Sequence, residues 1–377
     1  MSDTEELDER WMALALSLGS RGLGKTWPNP SVGCVIISNS RVVGRGRTGD
    51  GGRPHAEVVA LNQAGKQAIN STVYVTLEPC AHFGETGPCV QALIEAQVSR
   101  VVISIKDPDV RASGKGLEAL KRAGITVKCG VLRDKGLNLN LGFIMKIRLN
   151  RPLVTLKLGT SFDGKIATHS RESKWITGPG ARRRVHCMRS QYDAILVGGG
   201  TARNDSPLLT VREIGVKKNP VRIIVSSTLN IPHECSLSKS INQGPIWLVH
   251  GSGVDQKDSS FWILKKAKLL EVGLTSNKLL DLGMMLKQLA DLGITRIFCE
   301  GGSQLAGSLL EENLVDRVVG FVGGRIIGSN GVSSIGKLNF NSLESMPKLK
   351  LTSVEDIEGD ILHSWNTVLN VSVVHDL

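Results

Sequence analysis

Four side chains between residues 55 and 89 have the chemistry of a catalytic zinc site. His55, Cys80 and Cys89 offer one imidazole and two thiolates, which suit a tetrahedral Zn²⁺ whose fourth position stays open for water. Glu57 is not needed as a ligand, and its place two residues after the histidine suits the proton transfer of a zinc deaminase. The alternative is that the cysteines are buried structural thiols, which are common. The combination favours the zinc site.

The apolar pattern predicts the elements that position these four residues. Residues 56–63 are expected to form a helix that begins at His55, and residues 72–77 alternate as a strand that ends shortly before Cys80. Other predicted elements of this region are helices at residues 6–18 and 134–146 and strands at residues 32–37 and 101–105. Such alternation predicts a three-layer α/β domain around a largely parallel sheet.

The alternation restarts after Pro152, so the chain is expected to have two domains, residues 1–149 and 150–377. The second domain is also expected to be α/β. Its predicted strands are residues 153–158, 194–197, 221–225, 246–249, 296–299, 349–354 and 361–374, the last two antiparallel. Its predicted helices are residues 181–190, 279–292 and 304–310.

Composition narrows the class of protein. Seven cysteines, an odd number in 377 residues, do not suggest a disulfide framework. The acidic start contains no apolar segment of the secretory kind, and no run approaches ~18 apolar residues, so we expect a cytoplasmic protein without membrane spans. The net charge of +11 is compatible with nucleic acid or with small anions. Dispersed basic residues and 4% aromatics argue against nucleic acid, although charge alone does not decide.

Motifs along nearly the whole chain resemble the bifunctional deaminase–reductase family of riboflavin biosynthesis. They lie at residues 28–33, 54–57, 76–80, 84–89, 157–164, 173–177, 200–201, 204–212 and 300–302. Eight residues separate Cys80 from Cys89, whereas cytidine and tRNA-adenosine deaminases usually carry Cys-x-x-Cys, which argues against nucleic-acid editing. The resemblance implies a cytidine-deaminase-like three-layer domain followed by a dihydrofolate-reductase-like α/β domain. It also implies one Zn²⁺ per chain and NADPH.

The resemblance further implies the reaction. The substrate of the first domain would be 2,5-diamino-6-(5-phosphoribosylamino)pyrimidin-4(3H)-one. Glu57 would carry the proton during its deamination, and Asn29 would orient the pyrimidine edge. Asn29 could instead be a simple turn residue. The second domain would then reduce the ribosyl group to ribityl with NADPH. No nucleic acid or membrane partner is expected, and the family tends to form homo-oligomers.

The reductase site residues are likewise implied by the resemblance, and ordinary packing or surface ion pairing stays open for each. Residues expected to bind substrate are Lys157, Arg189 and Arg212 at the phosphate, Ser173 and Glu300 at the sugar or pyrimidine, and Leu209. Residues expected to line the cofactor are Gly159, Trp175, Thr201, Asp205, Gly301 and Gly302. Backbone N–H groups at a helix starting near Ser303 would suit an anion.

Two positions of the first domain depart from the family pattern. Glu85 stands where the family often has a basic residue, and Thr48 stands where many members have histidine. The basic residue and the histidine of the family could both bind a phosphate, whereas a carboxylate at such a position would repel one. An alternative is therefore a reductase whose deaminase domain is impaired or retargeted, and a nucleic-acid-editing deaminase is a third hypothesis.

Overall fold

The computed structural model describes residues 3–84, 87–216 and 218–367, which fall into two compact units, one ending at Asn150 and the other beginning at Arg151. The strands of the first unit are β1 (Gly33–Ser38), β2 (Arg41–Arg47), β3 (Thr72–Val75), β4 (Arg100–Ile103) and β5 (Thr126–Cys129). Its helices are α1 (Asp3–Ser20), α2 (Ala56–Ala64), α3 (Cys89–Glu95), α4 (Lys115–Arg122) and α5 (Arg133–Leu149), with a 3₁₀ turn at Gly65–Ala68.

The five strands form one sheet in the order β2-β1-β3-β4-β5, with a hydrophobic core on each face. Alternate residues of β1 enter different cores. Ile36 packs in the core that contains Ala60 of α2, and Val35 packs in the core that contains Met12 of α1. Because both faces are buried, β1 is an unbroken apolar run rather than an alternating one. The expected three-layer arrangement is confirmed.

The expectation of a largely parallel sheet is wrong for part of this unit. β3, β4 and β5 are parallel, whereas β1 is antiparallel to both β2 and β3. β2 was missed because its sequence, rich in arginine and glycine, lacks an apolar run. Asn39 and Ser40 both have positive φ, as a two-residue hairpin turn of type I′ requires, and they join β1 to β2.

Helix α2 lies close against this hairpin because two glycines of β2 face it. A Cβ on Gly46 would lie 2.3 Å from the carbonyl oxygen of Ala56, and a Cβ on Gly44 would lie 2.2 Å from that of Ala60. Any side chain at either position would push the helix away from the sheet. The hairpin therefore sets the position of α2, whose first turn contains Glu57.

The second unit contains more strands. They are β6 (Leu153–Ser161), β7 (Lys165–Ala167), β8 (Ala194–Gly198), β9 (Val221–Val225), β10 (Ile246–His250), β11 (Lys268–Glu271), β12 (Arg296–Cys299), β13 (Arg317–Gly323), β14 (Val332–Ser333), β15 (Leu349–Ile357) and β16 (Asp360–Thr367). The helices are α6 (Pro179–Arg189), α7 (Gly199–Asp205), α8 (Ser236–Lys239), α9 (Gln256–Leu264), α10 (Leu282–Asp291) and α11 (Ser303–Glu311). Short 3₁₀ turns lie at Ile241–Gln243 and Leu343–Ser345.

Nine of these strands form one sheet in the order β11-β10-β9-β8-β12-β6-β13-β16-β15, and β7 pairs with β14. All pairs from β11 to β13 are parallel, and β16 and β15 add antiparallel strands at the edge. The predicted antiparallel pair is confirmed as far as Thr367; the rest of the strand predicted over residues 361–374 lies outside the described residues. Because β8, β9 and β12 are parallel, their carboxyl ends meet at one edge of the sheet.

The described part of the chain contains no helix that combines the length and apolar character needed to cross a membrane.

Candidate active sites

Three separate elements bring the predicted metal ligands together in the first unit. His55 is the residue that precedes α2, Cys80 lies in the loop after β3, and Cys89 is the first residue of α3. His55 Nδ1 lies 3.3 Å from Cys89 Sγ and 3.6 Å from Cys80 Sγ, and all three ligand atoms lie within 4.8 Å of one another. The backbone N–H of Cys89 donates to Cys80 Sγ at 3.3 Å.

This donor set fits zinc. Ligands at ~2.0 to 2.3 Å around a tetrahedral ion lie about 3.5 Å apart, close to the two separations measured from His55 Nδ1. Hydrogen bonding to the Cys89 side chain and to His55 lowers the pKa of the Cys80 thiol to about 4, against the opposing effect of burial. Among the described residues, these three form the only such cluster of His, Cys, Asp and Glu side chains.

Glu57 lies beside the cluster and is almost fully buried, with 4% of its surface exposed. Burial raises the pKa of its carboxyl group to about 7. Its place in the first turn of α2 follows from the packing of this helix against β2, which also fixes His55 at the helix start. The carboxyl group is therefore held next to the ligand atoms without being one of the three that converge.

A cavity of about 230 Å³ opens at this cluster. Asn29 lines it, as expected for a substrate-binding residue, and donates from Nδ2 to the carbonyl oxygen of Gly52 at 3.1 Å. Thr48 lines it too, and its hydroxyl accepts from the N–H of Val32 at 2.9 Å. Glu85 lies outside the described residues.

The role of Glu78, which lies two residues before Cys80, is not evident from the sequence pattern. Its buried carboxylate accepts from the N–H groups of Asp107, Gly114 and Gly116 at 2.9 to 3.1 Å. These bonds hold the loop between β4 and α4, which lines the cavity. The signal that could have indicated this role is a glutamate in a motif at the end of a buried strand, because a buried carboxylate needs hydrogen-bond donors around it.

In the second unit, three of the predicted substrate residues form one partly buried group of charges. Arg189, at the end of α6, forms a two-pronged ion pair with Glu300, which follows β12, and donates to the carbonyl oxygen of Thr210 at 2.8 Å. Burial would raise the pKa of Glu300, but Arg189 and Lys157 outweigh it and lower the pKa overall. Burial lowers the pKa of Lys157. Arg189 is thus held by Glu300 rather than directed only at a ligand.

A cleft of about 590 Å³ lies at the carboxyl ends of β8 and β9. Thr201, Asp205 and Gly302 line it, as expected for cofactor residues. Ser173, expected to bind substrate, lines the same cleft. Helix α11 begins at Ser303 directly after Gly302, as predicted, so its first N–H groups face an open space suited to an anion.

The remaining predicted residues lie outside the lining of this cleft. Gly159 lies beside Lys157, since a Cβ there would be 3.0 Å from Nζ, and the carbonyl of Gly301 accepts from the N–H of Gly198 at 3.2 Å. Trp175 is 59% exposed and stacks under Arg182, with 4.3 Å from the guanidinium carbon to the ring centroid. Two others have structural contacts: Leu209 is buried in the core, and the backbone N–H of Arg212 donates to His186.

Further residues that line the cleft were not predicted from the sequence, among them Ser226, Arg203 and Gln304. Ser226 follows β9 directly, and a polar residue after a buried parallel strand was the signal that could have found it. The run of glycines at residues 198–200, weak evidence in the sequence alone, lines the cleft at the start of α7.

Two family models match the chain. The cytidine and deoxycytidylate deaminase zinc-binding region matches residues 5–105, and the RibD C-terminal domain matches residues 152–363. The predicted deaminase-type first domain and reductase-type second domain are confirmed by these matches and by the two α/β sheets.

Full-length relatives agree. The chain is 39% identical to the riboflavin biosynthesis protein RibD of Aquifex aeolicus, with 95% of this chain and 98% of that protein covered. It is 38% identical to RibD of Escherichia coli, with 94% and 98% covered. The RibD structure of Acinetobacter baumannii (form 1) has a TM-score of 0.85 at 33% identity, covering 97% of this chain and 99% of that one. A deaminase/reductase structure from Thermotoga maritima has a TM-score of 0.85 at 31% identity, with the same coverage. The chain therefore belongs to the RibD family of bifunctional deaminase–reductases of riboflavin biosynthesis.

Proposed function

We propose that the chain deaminates 2,5-diamino-6-(5-phosphoribosylamino)pyrimidin-4(3H)-one and then reduces the ribosyl group to ribityl with NADPH, giving 5-amino-6-(5-phosphoribitylamino)uracil. We assign the deamination to residues 1–149 and the reduction to residues 150–377. The observation that carries the proposal is the convergence of three ligand atoms within 4.8 Å beside the buried Glu57. The Thermotoga protein supports it, because its name, diaminohydroxyphosphoribosylaminopyrimidine deaminase/5-amino-6-(5-phosphoribosylamino)uracil reductase, contains both activities.

His55, Cys80 and Cys89 would hold one Zn²⁺, which when bound supplies a water activated for attack at neutral pH. Glu57 accepts a proton from the attacking water and delivers it to the amino group that leaves the ring as ammonia. Asn29 orients the pyrimidine. One hydrogen of its Nδ2 is donated to Gly52, which leaves Oδ1 to accept from a ring N–H and the second Nδ2 hydrogen to donate.

In the second unit, the cleft lined by Thr201, Asp205 and Gly302 would take NADPH, which supplies the hydride for carbon 1 of the opened sugar. The first turn of α11 binds phosphate oxygens through its N–H groups. Lys157 and Arg212 bind the substrate phosphate, and Ser173 and Glu300 bind the sugar or pyrimidine. Arg189 holds Glu300 in place through their ion pair. Leu209, with a buried side chain, contributes through its backbone.

The cofactor contacts of Gly159, Trp175 and Gly301 are also part of this proposal, as are a cytoplasmic location and association into homo-oligomers.

The test follows ammonia release and NADPH oxidation together with zinc-loaded protein and the diaminopyrimidine substrate. Glu57→Gln should lower the rate of ammonia release by about 10²- to 10⁴-fold, because it removes the proton carrier. The same variant should oxidise NADPH normally when given pre-deaminated substrate. Glu95→Gln, an exposed change on α3, is the matched control and should leave both rates unchanged. Ammonia release that is equal in the wild type and in Glu57→Gln contradicts the mechanism.

If the wild type oxidises NADPH only with pre-deaminated substrate, the alternative of a reductase with an impaired deaminase domain replaces the proposal.

A further inference from the structure

The charged side chains that line the metal cavity are mostly acidic. Of the described residues in its lining, the carboxylates are Glu57, Glu78, Asp107 and Asp109. The arginine of that lining is Arg53, and its histidines are His82 and the predicted metal ligand His55. A phosphorylated substrate must place about two negative charges away from the carboxylates, so the choice of its phosphate site is narrow.

The size of the cavity indicates that the phosphate is bound at its rim. About 230 Å³ is less than the ~300 to 1,000 Å³ of pockets that enclose a drug-sized ligand, so the pyrimidine fits inside and the phosphoribosyl group extends outwards. Arg53 is half-buried and lies two residues before His55. Its guanidinium nitrogen Nη2 lies 3.5 Å from the position that a Cβ on Gly84 would occupy. The guanidinium is thus between the loop before α2 and the loop that joins Cys80 to Cys89.

The backbone around Arg53 is fixed. The N–H of Gly49 donates to the carbonyl of Pro54 at 2.9 Å, and the N–H of Gly51 donates to that of Lys25 at 2.8 Å. Gly52 has φ +94°, and its carbonyl accepts from Asn29. Because the same loop bonds to Asn29, a pyrimidine oriented by Asn29 has a guanidinium at a set place nearby. Arginine suits this task, since its planar fork of donors matches the oxygens of a phosphate.

We propose that Arg53 binds the substrate phosphate in the deaminase site and so makes this site prefer the phosphorylated pyrimidine over its dephosphorylated counterpart. The inference rests on the proposed function and adds the residue that selects the substrate. Thr48, the other departure expected to affect phosphate binding, has no charge, and its hydroxyl is bonded by Val32. Arg53 therefore supplies the positive charge that Glu85 does not.

The test compares deamination of the phosphorylated substrate with that of the same compound after removal of its phosphate. In Arg53→Ala, KM for the phosphorylated substrate should rise about 10- to 100-fold, the range expected for lost charge-assisted hydrogen bonds, with kcat changed less than about threefold. Kinetics with the dephosphorylated compound should stay the same. Arg53→Lys should recover part of the loss. Arg45→Ala, an exposed change on β2, is the control and should match the wild type.

Two results overturn the inference: Arg53→Ala behaves as the wild type, or it loses the same factor with both compounds, with or without loss of zinc. Zinc content per chain is therefore measured for every variant.

Titration calorimetry with ribose 5-phosphate keeps this inference distinguishable from the proposed function. Zinc-loaded wild type should show a binding event that Arg53→Ala lacks, beside binding at the phosphate site proposed for the second unit, which both proteins share. If the wild type releases no ammonia from either compound but this event depends on Arg53, the proposed deamination fails and the phosphate site stands. If the event is unchanged in Arg53→Ala, the phosphate site fails.

Discussion

Replacing Gly46 by alanine should damage the metal site without touching any of its ligands. The new Cβ would lie 2.3 Å from the carbonyl oxygen of Ala56 and 2.8 Å from the backbone nitrogen of Ala60, whereas ordinary contacts begin at 3.4 Å. The start of α2 must therefore move by about 1 Å. His55 directly precedes this helix and Glu57 lies in its first turn, so both groups move relative to Cys80 and Cys89.

The expected size follows from this shift. A misplacement of about 1 Å costs on the order of 10²-fold in rate, and overpacking costs about 1 to 3 kcal/mol of stability. The separations of 3.3 and 3.6 Å between His55 Nδ1 and the two sulfurs would no longer fit one ion, so zinc content should fall as well. NADPH oxidation with pre-deaminated substrate should be unchanged, because that chemistry is assigned to the other unit.

The assay measures zinc per chain, ammonia release and NADPH oxidation for Gly46→Ala beside Gly324→Ala. The control makes the same chemical change where a Cβ meets no atom within 4 Å. Full zinc content and wild-type ammonia release in Gly46→Ala would refute the argument that the close approach of β2 positions α2.

Two further predictions concern buried charges. Burial would raise the pKa of Asp8, but hydrogen bonds from Arg100, Lys128 and Tyr74 lower it from 3.8 to about 2. The ionised form of Asp8 therefore stabilises the fold by about 2 kcal/mol above pH 4, and this contribution is lost as the pH falls towards 2. In calorimetric unfolding, Asp8→Asn should have a lower free energy of unfolding than the wild type at pH 7, and the difference should close below pH 4. The control Asp50→Asn, which removes a half-exposed ion pair, should differ from the wild type by less than about 1 kcal/mol. A difference for Asp8→Asn that does not change with pH contradicts the role of the Asp8 charge. Arg189→Met should destabilise the protein by about 3 kcal/mol, the lower end of the range for a broken buried pair, because Glu300, at 10% exposure, keeps only the nearby charge of Lys157. Arg184→Met, which breaks an exposed pair with Glu355, should cost less than about 1 kcal/mol, and equal losses for the two variants would show that burial of the Glu300 pair is not the cause.

The sequence alone determined the parts of the molecule that depend on short-range pattern. The strand before Cys80 and the helices that begin at Ala56 and Ser303 are marked by local apolar periodicity and by glycine at the turn, so they were predicted to within a few residues. The three side chains that converge within 4.8 Å, and Glu57 beside them, were predicted because few residue types bind zinc and their spacing is restrictive.

The tertiary structure decided what depends on long-range packing. The antiparallel strand β2 has no apolar run, and its role becomes visible only when Gly44 and Gly46 meet α2. The pairing of Arg189 with Glu300 joins residues 111 positions apart, and the sequence gives each only a charge. Likewise, the sequence does not distinguish Arg53 from other arginines. The structure places it at the cavity, because its loop is hydrogen-bonded to Asn29 and Lys25. Sequence pattern specifies which chemistry a residue offers, and only the packing of distant segments specifies which partner it meets.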